Sequence, residues 1–214
     1  MTLPLDIFVV GNIACGKTTL GRLLAEQIAQ ACFVPEPHDK NPFLPLYLCD
    51  QTRWGFTSTL YYYLGYARAA AEVSAKNPSR YCFIDAGTWS NALLYAEYLR
   101  GEEVISRDEF DFYQQLRLII DQAYPRPAPT AFIFVHLAPS ACYERMKRRG
   151  WSYQTPITIE YIEILQGYLE KMRAAVCEMG IAVLDISSGE IDFTQPHGQR
   201  TAVQQVEHFL RTIA

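Results

Sequence analysis

The run Gly11-Asn12-Ile13-Ala14-Cys15-Gly16-Lys17-Thr18-Thr19 constrains this chain more than any other stretch. It satisfies the pattern G-x-x-x-x-G-K-[ST], and its flanks satisfy the architecture that goes with it. The apolar residues Ile7-Phe8-Val9-Val10 before it predict a buried strand, and Leu20-Gly21-Arg22-Leu23-Leu24-Ala25 after it predict a helix. Strand, glycine loop and helix in that order make a phosphate cradle. The glycines let the backbone curl so that its N–H groups point inward at phosphate oxygens. In such a cradle Lys17 reaches the β- and γ-phosphates, and the Thr18 hydroxyl sits on a magnesium ion. An ordinary glycine turn would not require both flanks.

The chain has 214 residues, enough for one domain with a sizeable core. Its formal net charge of −4 argues against broad binding to a nucleic-acid backbone. No uninterrupted apolar run reaches the roughly 18 residues of a membrane span, so none is expected. The opening residues Met1-Thr2-Leu3-Pro4-Leu5-Asp6 lack a basic region and a long apolar stretch, and no signal peptide is expected. The six cysteines are scattered with no C-x-x-C pair, which fits small buried residues in a reducing cytoplasm rather than a zinc site or a disulfide framework. Cys15 has two readings: a thiol activated at a helix N-terminus, or a small loop residue that merely fits. The second is favoured.

Apolar strand-like runs recur at 7–10, 32–35, 82–85, 132–137 and 182–186. Helical patterns separate them at 16–30, 56–76, 89–99, 107–122, 140–149, 159–178 and 201–212. Pro125, Pro127 and Pro129 mark a linker, because proline cannot continue a helix. Strands alternating with helices predict an α/β fold with a doubly wound, five-stranded parallel sheet covered on both faces, as a single domain over 1–214. Chemistry in such sheets gathers at the carboxyl ends of the strands. The second strand ends at Pro35-Glu36-Pro37 and the third at Asp85, so both acids are candidates for the phosphate region. The competing readings are a solvated loop carboxylate for Glu36 and the N-cap of a helix at Thr88 for Asp85.

Taken together, these segments resemble the deoxynucleoside kinase family over most of the chain. The loop opens Gly11-Asn12-Ile13, the second strand leads to Glu36-Pro37, and Asn41-Pro42-Phe43-Leu44 follows five residues after the glutamate. Asp50, Arg53, Trp54 and Phe56 come next, then the acid Asp85 at the end of the third strand. A basic segment, Tyr143-Glu144-Arg145-Met146-Lys147-Arg148-Arg149, precedes a helix beginning near Tyr161. The resemblance implies a P-loop NTPase-type fold with a helical lid at about 145–157 and a homodimer.

The resemblance also implies the chemistry: ATP-dependent, magnesium-assisted transfer of the γ-phosphoryl group to a nucleoside hydroxyl. Glu36 would be the general base, Lys17 and the loop from Gly11 to Thr19 would hold the phosphates, and Thr18 and Asp85 would organise magnesium. Arg145, Lys147 and Arg149 would close over the transferring group; the alternative for these three is a solvated helix face.

The acceptor half departs from the family. A tyrosine that members use for the sugar 3′-hydroxyl falls on Leu48, although a slip of one residue restores Tyr47. A base-reading glutamine falls on Thr59, and the arginine after the strand-three acid on Ala86. A helix position that helps hold the 3′-hydroxyl falls on Ile164, beside Glu163. In the lid, an arginine falls on Trp151 and a glutamate on Gln154. A buried hydroxyl without a partner costs about 1–3 kcal/mol, so the pocket is expected to favour an altered or less polar acceptor, with Trp54, Phe56, Tyr62 and Trp89 as aromatic lining; the alternative for these four is simple core packing. Two other functions stay open at this point: a nucleotide-binding protein without turnover that acts through a partner, and a nucleoside monophosphate kinase, for which Arg53 is the best-placed cation. The altered-pocket reading requires Leu48, Thr59 and Ile164 to face one cavity with Glu36.

Overall fold

The computed structural model describes residues 5–76, 78–126 and 130–213. Five parallel strands form one sheet: β1 (Leu5–Gly11), β2 (Ala31–Val34), β3 (Tyr81–Asp85), β4 (Thr130–His136) and β5 (Ala182–Ser187), in the spatial order β2-β3-β1-β4-β5. The strands fall where the apolar runs predict them. Every residue of β1 is buried, which is why its sequence reads as a continuous apolar run and not as an alternation. Ile7 and Val9 point to one face, against Leu20, Leu24, Ile133 and Val206. Phe8 and Val10 point to the other, against Phe132, Phe134, Leu165 and Met172. Asp6 is the polar exception in this strand, and an ion pair with Arg126 neutralises it.

Helices cover both faces: α1 (Lys17–Gln27), α2 (Leu44–Cys49), α3 (Gln51–Lys76), α4 (Gly87–Ser90), α5 (Ala96–Gly101), α6 (Arg107–Ala123), α7 (Pro139–Arg149), α8 (Ile159–Glu178) and α9 (Pro196–Ile213). Three differences from the sequence expectation position the site. Helix α3 begins at Gln51 rather than 56, because the Asp50 carboxylate accepts from the Arg53 N–H at 3.0 Å and caps the new first turn. The chain between α4 and α5 runs as a wide π turn from Asn91 to Tyr95, a local underwinding common at functional sites. Helix α2 is absent from the sequence expectation, since it has only six residues, with Pro42 just before it and Pro45 in its first turn. Of the proline linker, Pro127 and Pro129 lie outside the described residues; α6 ends at Ala123, before Pro125.

Sheet register places the two functional strand ends side by side. Val9 pairs with Asp85, so the acid at the end of β3 sits beside the turn that leaves β1. These are the carboxyl ends flanking the point where the winding direction changes.

Candidate active site

The turn from Gly11 to Thr19 is built by backbone geometry that only certain residues allow. Gly16 has φ +111°, a conformation open to glycine at little cost. At Gly11 the limit is space: a Cβ there would lie 2.5 Å from the Val135 carbonyl oxygen and 2.6 Å from Cys15 Sγ. Helix α1 starts at Lys17 without any side-chain cap, so its first N–H groups remain directed at the cradle.

Lys17 is 9 % exposed and folds back over the turn, donating from Nζ to the carbonyls of Gly11 (3.1 Å) and Asn12 (2.9 Å). Burial disfavours its ammonium, but Cys15, Asp85 and Glu36 together push its pKa above the ordinary lysine value. A cation held this way stays charged and is released to a stronger anionic partner. The Asn12 amide donates to the Ile162 carbonyl at 2.9 Å and so ties the loop to α8. Cys15 is fully buried, and burial raises its thiol, so the reading of Cys15 as a reactive nucleophile fails and the loop-fitting reading holds.

Asp85 does not cap the helix that follows it. That helix starts from Ala86, at φ +58°, with no side-chain cap, while Asp85 Oδ2 accepts a short hydrogen bond from the Thr18 hydroxyl. Its other oxygen, Oδ1, is buried with no hydrogen-bond partner. Burial and the nearby Glu36 raise this carboxyl against the opposing pull of Lys17, to about 6. An orphaned carboxylate oxygen beside a threonine hydroxyl at a phosphate cradle is the oxygen donor set that suits magnesium, which demands hard ligands and keeps several of its own waters.

One cavity of about 330 Å³ runs from the cradle past Glu36 to the region where the sequence places an acceptor. Its donor end is lined by Lys17, Thr18, Arg145 and Arg149, with Glu36 at the junction. Arg145 is anchored by donating to the Ser188 carbonyl (2.9 Å) and hydroxyl (3.2 Å) and to the Cys15 carbonyl (3.5 Å), so it stands against the turn. Arg149 lies 3.6 Å over the Trp151 ring and donates to Gln154 Oε1 at 2.8 Å. Trp151 in turn stacks on His38 at 5.0 Å, tying the basic segment to the loop that carries Glu36. Lys147 sits over the Tyr143 ring instead and does not line the cavity.

The acceptor end differs from the sequence expectation. Leu48 and Thr59 line it, but Ile164 is 40 % exposed and lies outside it, as does Glu163. Of the proposed aromatic lining only Tyr62 is present. Trp54 stacks on Phe43 beneath Arg53, Phe56 stacks on Phe112, and Trp89 packs against Phe8 and Phe132. Arg53 is exposed over Trp54 and offers no cation to this cavity.

In their place stand six tyrosines: Tyr47, Tyr62, Tyr66, Tyr95, Tyr153 and Tyr161. The Tyr47 and Tyr161 hydroxyls are 3.0 Å apart, and Tyr66 donates to Glu36 Oε1 at 3.1 Å. Burial pushes the phenols of Tyr47 and Tyr66 well above their ordinary range, so both serve as neutral hydroxyls. Ser58 and Asn91 add further polar atoms. The wall is therefore aromatic and aliphatic with several hydroxyls among its residues, and is more polar than the sequence leads one to expect. The Asn41-Pro42-Phe43-Leu44 segment supports it and adds Leu44 to the lining: the Asn41 amide donates to the Ser58 carbonyl and hydroxyl and pins the entry of α2 against α3. A signal for part of this wall was in the sequence, since Ser58, Thr59, Tyr62 and Tyr66 recur at helical spacing on one face of α3. Tyr95 and Tyr161 carried no such signal.

The chain is similar to known proteins over nearly its whole length. The family model described as deoxynucleoside kinase matches residues 7–211. Deoxycytidine kinase 2 of Gallus gallus is 26 % identical, the match covering 95 % of this chain and 89 % of that protein. Deoxyadenosine kinase of Lactobacillus acidophilus is 25 % identical over 97 % of both chains. Deoxycytidine kinase of Homo sapiens is 23 % identical over 97 % of this chain and 91 % of its own length.

Proposed function

Because this chain belongs to the deoxynucleoside kinase family, we propose that it transfers the γ-phosphoryl group of ATP to the 5′-hydroxyl of a nucleoside or deoxynucleoside. The observation that carries this reading is the single cavity in which Lys17, Thr18, Arg145 and Arg149 face Glu36 and a hydroxyl-rich wall. Glu36 is the general base: it takes the proton of the acceptor hydroxyl as the new O–P bond forms and the bond to the departing ADP breaks. Tyr66 fixes one oxygen of Glu36 and leaves the other for the acceptor. Lys17 and the N–H groups at the start of α1 hold the donor phosphates. Arg145 and Arg149 stabilise the charge that spreads over the transferring group. Thr18 and Asp85 are the residues to hold magnesium, which neutralises phosphate charge when bound.

The Tyr47–Tyr161 hydroxyl pair is the candidate partner for the sugar hydroxyl, replacing groups expected at the Leu48 and Ile164 positions. The acceptor is accordingly a polar, sugar-bearing molecule and not an apolar alcohol. The basic segment from Arg145 to Ile157 is the lid of this reading, in a single domain. Exposed Tyr61 and Leu64 on α3 and Phe112, Leu118 and Ile119 on α6 support a homodimer through these helices. Six free thiols suit a cytoplasmic setting, and among the described residues no helix is long and apolar enough to cross a membrane.

The decisive experiment is a panel of nucleosides and deoxynucleosides assayed with labelled ATP and magnesium, with Glu36→Gln as control. Phosphorylation of at least one member, lost in the control, is the expected result. Turnover that survives Glu36→Gln removes the base assignment, and ATP binding with no turnover on any member removes the kinase reading.

A further inference from the structure

A second cavity, of about 590 Å³, lies on the opposite side of Tyr66, between the sheet, α3 and α6. It exists because Ala67 and Ala70 on α3 and Ala92 in the π turn present small side chains toward Phe8, Ile84 and Trp89. Phe8, Tyr63, Tyr66, Trp89 and Tyr124 give it aromatic walls, and its volume lies in the range of small-molecule sites.

The polar groups in it are not all satisfied. Asp6 is paired with Arg126, which also donates to the Ala70 carbonyl at 2.8 Å. Asp121 accepts from the Tyr63 hydroxyl at 2.7 Å. Arg117 lines the same space, and its Nε is buried with no hydrogen-bond partner; among the described residues no carboxylate closes an ion pair with it. A buried guanidinium nitrogen without an acceptor is costly, and the group best shaped to receive it is a carboxylate. Asp6 and Arg126 neutralise each other, so the cation that faces a ligand is Arg117, with the Asp121 carboxylate one helical turn away and held by the Tyr63 hydroxyl; this suits a singly acidic ligand better than a polyphosphate.

We propose that this second cavity binds a planar aromatic molecule bearing one carboxylate, its ring against Trp89 and Phe8 and its acid on Arg117. Tyr66 forms part of both cavities and holds Glu36, so occupancy is felt at the base; this coupling rests on the kinase reading, whereas the site itself does not.

The probe is 2-naphthoate, titrated calorimetrically into the full chain in the presence of ATP. Binding is expected to weaken by about tenfold or more in Arg117→Met, from loss of a charge-assisted hydrogen bond, and comparably in Ala67→Leu, which fills the space. Arg117→Gln, which removes the charge but keeps a long polar side chain, serves if the methionine variant does not fold, and the same loss is expected of it. In the wild type 2-naphthoate changes kcat for nucleoside phosphorylation with little effect on KM for ATP, and it has no effect on Arg117→Met at the same concentration. Absence of binding, equal binding to all variants, or a change confined to KM for ATP overturns the proposal. Binding that depends on Arg117 in a protein that phosphorylates no nucleoside upholds the site and refutes the kinase reading instead.

Discussion

The Tyr66 hydroxyl donates a 3.1 Å hydrogen bond to Glu36 Oε1, from a side chain only 2 % exposed. Two residues from separate elements, one after β2 and one midway along α3, are thereby fixed as a unit at the junction of the donor and acceptor spaces. A base that must meet its proton within hydrogen-bond reach gains most from this restraint. Glu36→Gln is expected to lower kcat by roughly a hundredfold or more, as removal of a general base does. Tyr66→Phe removes one hydrogen bond to a charged group and is expected to lower kcat by about tenfold with little change in KM for ATP. Steady-state kinetics on both variants check this.

In the proposed function, the Tyr47–Tyr161 hydroxyl pair is the partner for a sugar hydroxyl. Wild-type protein is expected to discriminate between a deoxynucleoside and the matching 2′,3′-dideoxynucleoside. Tyr47→Phe and Tyr161→Phe should each erode the ratio of kcat/KM values by roughly tenfold, the worth of one hydrogen bond. Because the two hydroxyls contact each other, the double variant is expected to lose less than the product of the single losses.

Arg149 is oriented by its stacking on Trp151 and its hydrogen bond to Gln154. Trp151→Ala removes the aromatic platform and should weaken ATP use by roughly threefold to thirtyfold in kcat/KM, the range of a cation–π contact. Trp151→Phe should restore most of it. Unchanged kinetics in the alanine variant would show that Arg149 needs no such support.

Asp85 gives a pH signature in the absence of metal and nucleotide. Burial raises its folded-state pKa to about 6, above the ordinary aspartate value, so the folded state binds the proton more tightly than the unfolded chain does. The stability this contributes is present at pH below about 4 and is lost as pH rises through 6. Asp85→Asn should therefore be more stable than wild type above pH 6, by on the order of 1–3 kcal/mol, with the advantage shrinking toward pH 4. Thermal or denaturant unfolding at pH 4 and pH 8 measures it, and the same variant should lose most activity.

Much of the fold was legible because its determinants are local. The five strands are continuous apolar runs, since strands of a parallel sheet are buried on both faces, and the helices between them carry their own periodicity. The misplaced start of α3 reflects a cap by Asp50, a single hydrogen bond that leaves no trace in hydropathy. At the site, Glu36 and Asp85 were found from their positions at strand ends. One residue along a helix turns a side chain by about 100°, so the sequence leaves open whether Leu48 or Tyr47 answers to the family's tyrosine; in the fold both line the cavity, whereas Ile164 does not. For Trp54, Phe56 and Trp89 the packing alternative holds: each packs against another ring and none lines the cavity.

The sequence by itself determined the phosphate cradle, the parallel sheet and the family, because glycine placement, strand hydrophobicity and motif spacing act over a few residues at a time. Only the tertiary structure decided the acceptor half. Its wall is assembled from α2, α3, the π turn and α8, and its central contact joins hydroxyls 114 residues apart in the chain. Such meetings depend on how helices pack across the sheet, a property of side-chain volumes throughout the core that no local pattern records.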